Sequence, residues 1–261
     1  MEQTAAFISA IRDYHEDAEA VYNVRQGHSH LCSSHRSRRY RFLVLFSGTG
    51  SVEHMLMKQF PNAKIVSLDI DPCSAATHVC DIRHWVDSLE GGMQVYPPGY
   101  FHAIWASPPC TQYSVAKTIG KRDLASADGL AKAALQAISY LDPAYWYLEN
   151  PVGLLRHREF MQPWNRYLNL TTYCKYGTAY MKLTCIWTNA PISPLRRCSH
   201  AHPCKERAER GRHPVTAQSG PSKSGTPGSG SDVAVYLIPQ KLLAQLFAPM
   251  KYTGSVANTS F

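Results

Sequence analysis

From Phe42 onward, short apolar runs alternate with amphipathic stretches, and that alternation limits the possible folds more than any other feature of the chain. Strand-like runs stand at residues 42–46, 63–68, 78–80, 101–106 and 145–148, with helical patterns at 52–59 and 130–141. Strands alternating with helices predict an α/β domain on a mostly parallel central sheet with helices on both faces. Ligands of such sheets bind at the carboxyl ends of the strands. A chain of 261 residues that is 44% hydrophobic holds one such domain with a sizeable core and a small appendage.

The remaining segments divide by composition. Residues 1–41 read as an N-terminal helix followed by a basic arm, in which Arg25, Arg36, Arg38, Arg39 and Arg41 stand among His28, His30 and His35. The arm is either a solvated linker or a phosphate-contacting element. Residues 42–190 form the core. Residues 191–232 are a short polar region ending in a Ser/Gly-rich stretch at 219–230, which reads as a flexible loop. Residues 233–261 contain a last helix, from about Pro239 to Phe247, that returns to the core, and then a fraying tail. Residues 167–190 read as further strands near the sheet edge. A net charge of +8 favours a polyanionic partner such as nucleic acid. The N-terminus lacks a basic-then-apolar signal pattern and no apolar run approaches the roughly 20 residues that span a bilayer, so no membrane role and no secretion are expected. The eight cysteines are then read as reduced, in a soluble protein of the cytoplasm or nucleus.

The strand tips carry the chemistry. The first run ends in Phe46-Ser47-Gly48-Thr49-Gly50-Ser51, where glycines allow close backbone approach and a helix N-terminus favours an anionic group. The second ends at Asp69, about 20 residues on, a spacing at which an acid accepts from ribose hydroxyls. Asp81 follows the third and reads either as a contact to an adenine amino group or as a helix N-cap. The fourth run leads into Ser107-Pro108-Pro109-Cys110-Thr111-Gln112-Tyr113-Ser114, in which two prolines fix the backbone before a thiol at the loop tip. Cys110 aimed in this way is a candidate nucleophile. The fifth ends in Glu149-Asn150-Pro151, a desolvated carboxyl suited to donating to a ring nitrogen. With the fourth and fifth strands adjacent, Cys110 and Glu149 face one cleft.

In this order and spacing the motifs resemble those of the DNA cytosine-5 methyltransferases, over about residues 42–189 and again at Ile238-Pro239 and the helix after it. The compact phage- and virus-borne members are the most similar. The resemblance implies a Rossmann-like fold that binds S-adenosylmethionine. Phe46, Ser47, Gly48, Thr49, Gly50 and Ser51 would form the first cofactor motif, and Asp69 would bind the ribose. Ile70 would stack on the adenine, Asp81 and Ile82 would contact it, and Pro108 would complete the pocket. Pro109 and Cys110, with Tyr113 and Ser114, would form the nucleophile loop. Glu149 would hold cytosine N3 and Asn150 would brace the loop. The implied reaction is methyl transfer to cytosine C5, through a Cys110 adduct at C6 of a base flipped out of duplex DNA.

The chain departs from the family in two places. Tyr180-Met181-Lys182-Leu183-Thr184 stands where a Gln-x-Arg-x-Arg motif is usual, so Lys182 alone keeps a cation there, either at the base carbonyl or as a surface lysine. The target-recognition region is reduced to about residues 190–232, too small for discrimination of a long sequence. RNA as substrate, an exocyclic base nitrogen as methyl acceptor, and a binding-only homologue are the competing readings. Within the reduced region, Cys198, His200, Cys204 and His213, with His202 nearby, suit a structural zinc ion. The other reading is a basic loop facing DNA whose cysteines are incidental. Target sequence and oligomeric state are not legible in the chain.

Overall fold

The computed structural model describes residues 39–88, 91–115, 117, 119–213, 215–216 and 237–252. The N-terminal helix, the basic arm up to Arg38 and the Ser/Gly-rich stretch lie outside the described residues.

Seven strands form one sheet: β1 Arg41–Leu45, β2 Lys64–Asp69, β3 His78–Val79, β4 Ala103–Ala106, β5 Tyr145–Pro151, β6 Leu168–Thr172 and β8 Leu183–Thr188. Their spatial order is β3-β2-β1-β4-β5-β8-β6. The pairs β3·β2, β2·β1, β1·β4 and β4·β5 are parallel, while β8 runs antiparallel to both β5 and β6. A separate two-strand ladder pairs β7 Tyr180–Met181 with β9 Val215–Thr216. The expected mostly parallel sheet is therefore present. The strand order reverses at β1, with β2 on one side and β4 on the other, which is where open α/β sheets open a crevice.

The sheet is covered on both sides because its central strands carry unbroken apolar runs, Phe42–Leu45 on β1, Ala103–Ala106 on β4 and Tyr145–Leu148 on β5. On β1, Leu43 and Leu45 face a core that holds Trp85, Tyr96, Tyr100 and Ile138. Phe42 and Val44 face the opposite core, with Leu56, Trp105 and Phe247. Such unbroken apolar runs are what a parallel strand buried on both faces requires. The covering helices are α1 Ser51–Gln59, α2 Ile82–Asp87, α3 Leu124–Leu141, α5 Gln240–Leu246 and α6 Ala248–Tyr252; a short α4, Lys205–Arg210, lies in the polar region.

Two boundaries extend furthest beyond expectation. The helix read from Leu130 starts at Leu124, where Asp123 caps it by accepting from the Ser126 amide at 3.0 Å. Strand β5 continues through Glu149 and Asn150 to Pro151, where Tyr147 to Pro151 pair with β8. No described helix is long and apolar enough to cross a membrane.

Candidate active site

The parallel register brings the ends of β1, β2, β4 and β5 to one edge of the sheet. At the end of β1, Phe46 takes a positive φ of 62°, uncommon for a bulky residue and a mark of stored strain. Gly48 and Gly50 follow at φ 52° and 67°, and Gly50 opens α1. A Cβ built on Gly50 meets nothing within 4 Å, so this glycine serves backbone conformation and open space. The Gly48 amide donates to Asp69 Oδ2 at 2.6 Å and the Asp71 amide to Asp69 Oδ1 at 2.9 Å. Asp69 thus ties the tip of β2 to the glycine loop. Ile70 beside it is 66% exposed, an apolar side chain at a strand tip that a planar ligand would cover.

Ser47 donates to Glu53 in the first turn of α1. Burial pushes the Glu53 carboxyl up, against the lowering effect of that hydrogen bond. Its Oε2 is buried with no hydrogen-bond partner among the described residues. A cavity of about 690 Å³ lies here, bounded by the glycine loop, Glu53, Ser67 and Thr77. Asp69, Ile70, Asp81 and Ile82 are not among its walls, so it meets the expected cofactor contacts only at the loop. Asp81 caps α2: its Oδ1 accepts from the Arg83 amide at 2.8 Å, and the carboxylate pairs with the Arg83 guanidinium. Ile82 is buried behind it.

The loop after β4 is fixed from several sides. The Asn150 side chain donates to the Pro108 carbonyl at 2.8 Å, from a fully buried position. The Cys110 carbonyl accepts from the Tyr113 and Ser114 amides, closing a turn directly behind the thiol. Buried Tyr113 donates its hydroxyl to Asp128 on α3 at 2.9 Å, and Arg158 holds the same carboxylate through Nε and Nη2. The Tyr113 carbonyl accepts from the Leu154 amide, and Ser114 bridges to Gly153. Asp128, Gly153 and Arg158 carry no local motif, and sequence reasoning missed them. Lys117 and Arg122, basic residues that follow this loop, donate back to Gln112.

Glu149 lies beside this loop, 5% exposed. Tyr173 donates to its Oε1 at 2.9 Å, and Lys182 Nζ stands 3.6 Å from the same oxygen. Oε2 takes neither contact. Lys182 also lies over the Tyr173 ring, 4.8 Å from its centroid. Lys182 is therefore an inward cation. Its place follows from topology: β8 runs antiparallel to β5, so the residue just before β8 meets the carboxyl end of β5. The Cys110 thiol is pushed up by burial; the Lys182 cation pulls it down and the Glu149 carboxylate adds to the rise. The structure thus gathers Cys110, Glu149, Asn150 and Lys182 at the carboxyl ends of β4 and β5.

The second candidate cluster differs from the sequence reading in one member. Cys174, Cys198, Cys204 and His213 bring their ligand atoms within 4.8 Å of one another, an arrangement compatible with zinc. His200 is exposed and meets the Arg207 guanidinium, and His202 is also exposed, so neither joins the cluster. Cys174 comes from the turn after β6, outside the segment in which the sequence reading looked for ligands.

No protein-family profile matches the chain. It is 28% identical over 177 residues to the "Probable DNA (cytosine-5)-methyltransferase" of Frog virus 3 (isolate Goorha), spanning 63% of this chain and 77% of that one. The similarity to a virus-borne protein of that kind agrees with the resemblance the motifs carry. Among solved structures, a prophage-encoded E. coli chain assigned as a DNA modification methyltransferase aligns with a TM-score of 0.37 at 14% identity. The alignment covers 61% of this chain and about half, 53%, of that one, and a likeness at that level supports no further statement.

Proposed function

We propose that the protein is a DNA cytosine-5 methyltransferase using S-adenosylmethionine. The observation that carries the reading is the convergence of Cys110, Glu149 and Lys182, after β4, at the end of β5 and just before β8, with β4 next to the strand that leads into the Gly48–Asp69 contact. The similarity to the viral relative supports it.

The cofactor, when bound, supplies a sulfonium methyl group. Two features of the chain fit it: the open space above Gly50, and the exposed Ile70 next to a carboxylate that has already organised the loop. Asp69 would accept from the ribose hydroxyls and Ile70 would cover the adenine. The thiolate of Cys110 attacks C6 of the flipped cytosine, forming an S–C6 bond and an enamine-like ring. With the cofactor bound, C5 of that ring would take the sulfonium methyl, the S–CH3 bond breaking and S-adenosylhomocysteine leaving. A water-mediated base removes the C5 proton, and the Cys110 thiolate departs by elimination to restore the ring.

Around these steps the protein holds charge and position. Glu149 presents Oε2 to cytosine N3, while Tyr173 and Lys182 hold Oε1. Lys182 lowers the energy of the Cys110 thiolate and would face the base carbonyl oxygen as it gains charge. An ammonium does this as a point charge, without the two-pronged geometry of an arginine. Asn150 and Gly153 position the loop.

The test uses tritiated S-adenosylmethionine with DNA and, separately, RNA, followed by digestion to nucleosides. Label in 5-methylcytosine from DNA, abolished by Cys110→Ala, is the expected result. Label from RNA alone would move the substrate, label in an N-methylated base would move the reaction, and full activity of Cys110→Ala would remove the covalent route.

A further inference from the structure

We infer that Cys174, Cys198, Cys204 and His213 bind one zinc ion, which clamps the reduced recognition region onto the turn that supports Glu149. In a tetrahedral site with Zn–S near 2.3 Å and Zn–N near 2.0 Å, neighbouring ligand atoms lie about 3.5–3.8 Å apart. Here Cys198 Sγ is 3.7 Å and Cys204 Sγ 3.2 Å from His213 Nε2, and all four ligand atoms fall within 4.8 Å. Three sulfurs and one imidazole are a donor set of structural zinc. The surroundings are built for it as well. The Cys204 amide donates to Cys198 Sγ at 3.3 Å, an outer contact that steadies a thiolate ligand. The Thr172 hydroxyl accepts from the Cys198 amide at 2.8 Å, and Lys175 donates to the Pro203 carbonyl at 2.6 Å. Polar contacts thus already hold the loop in the position that brings the ligands together.

The position gives the ion its role. Cys174 adjoins Tyr173, whose hydroxyl holds Glu149. His213 leads into β9, whose partner strand β7 ends one residue before Lys182. Between these anchors runs the basic stretch of Arg196, Arg197, Lys205, Arg207, Arg210 and Arg212. Arg196, Arg197, Lys205, Arg210 and Arg212 are exposed there. A region this short has little core of its own, and small units of that kind are commonly stabilised by a metal. One ion therefore fixes a cationic surface and both partners of Glu149 with respect to each other. The inference goes beyond the methyl-transfer reading and does not depend on it.

The experiment measures metal content of the full chain, purified under reducing conditions and dialysed against buffer without chelator. Near one zinc per chain is expected. Cys174→Ser should weaken zinc binding by at least about tenfold, read by competition with a chelator, since even outer-shell changes cost that much in affinity, while His200→Ala should leave it unchanged. The wild-type protein gives two further readouts that do not depend on any variant folding. Cobalt(II) exchanged into the chain should show the absorption of tetrahedral sulfur-rich coordination. Thiol counting should find three cysteines that become reactive only on chelation. Zinc far below stoichiometry, a disulfide between Cys198 and Cys204, or full zinc retention by Cys174→Ser with loss in His200→Ala would overturn the assignment.

Discussion

At the scale of single residues, the site is a competition over one thiol. Desolvation raises the energy of the Cys110 thiolate, Lys182 lowers it and Glu149 raises it again. Because the thiolate is the reactive form, alkylation of Cys110 should rise with pH to a midpoint above that of the same cysteine in the denatured chain. Replacing Lys182 by Met removes the favourable cation and should move the midpoint further up. Replacing Glu149 by Gln should move it down, both by deleting a negative charge and by releasing Lys182 from its 3.6 Å pairing. Iodoacetamide labelling resolved to the Cys110 peptide, followed across pH, reads all three midpoints. Opposite shifts for the two variants are the expected signature; no shift in either would mean that neither charge acts on the thiol. The same balance accounts for a single lysine standing where two arginines are usual. The pocket supplies one buried carboxylate and one buried phenol to receive a cation, and Lys182 meets both.

At the scale of elements, the loop after β4 is a clamped segment whose clamps come from elsewhere. Gly153 is the closest of them: a Cβ there would lie 2.3 Å from the Tyr113 carbonyl oxygen. That atom is backbone and itself accepts a hydrogen bond, so Gly153→Ala must displace the loop. A shift of about 1 Å in a reacting group costs on the order of 10²-fold in rate, and methyl transfer by Gly153→Ala should fall by about that much with cofactor binding retained. Tyr113→Phe loses only the hydroxyl contact to Asp128, which keeps Arg158. It should cost about 1 kcal/mol of stability and a smaller part of the rate, so single-turnover kinetics and urea unfolding of the pair separate loop position from stability. The contrast shows what was legible in the chain. The strands and the residues at their tips could be placed, because the apolar runs stop at glycine, aspartate, proline-cysteine or glutamate. Tyr173, Cys174, Asp128 and Gly153 were not legible as site residues. Each acts through a contact 15 or more residues away, as Tyr173 does on Glu149 and Asp128 on Tyr113, and nothing local distinguishes it. His200 was misread for the converse reason: it is close in sequence to Cys198 and Cys204 and turned away from them in space.

At the scale of the whole molecule, the catalytic core is completed by the last described segment of the chain. Helix α5 returns to the α1 side of the sheet, where Leu242, Leu243, Leu246 and Phe247 are fully buried. Phe247 packs against Tyr147, Phe42 and Trp105, aromatic side chains of β5, β1 and β4, with ring centroids 4.7, 5.9 and 6.2 Å away. The Tyr147 hydroxyl donates to the Leu246 carbonyl at 2.9 Å, and the Tyr40 hydroxyl to that of Met250. Gln240 reaches the Ser51 carbonyl, at the start of the helix that follows the glycine loop. The helix therefore covers the three central strands that carry the glycine loop, the nucleophile loop and Glu149. It should unfold with them as one unit. Removing the Phe247 ring leaves a void among three aromatic neighbours, and Phe247→Ala should cost about 3–5 kcal/mol, a large share of the ~5–15 kcal/mol that holds a domain of this kind folded. Urea unfolding checks this with three probes: far-ultraviolet circular dichroism, tryptophan fluorescence and exposure of the Cys110 thiol. In Phe247→Ala all three should move together to lower urea. If the helix were an independent appendage, the Cys110 thiol would stay protected at urea concentrations where the α5 signal had already been lost.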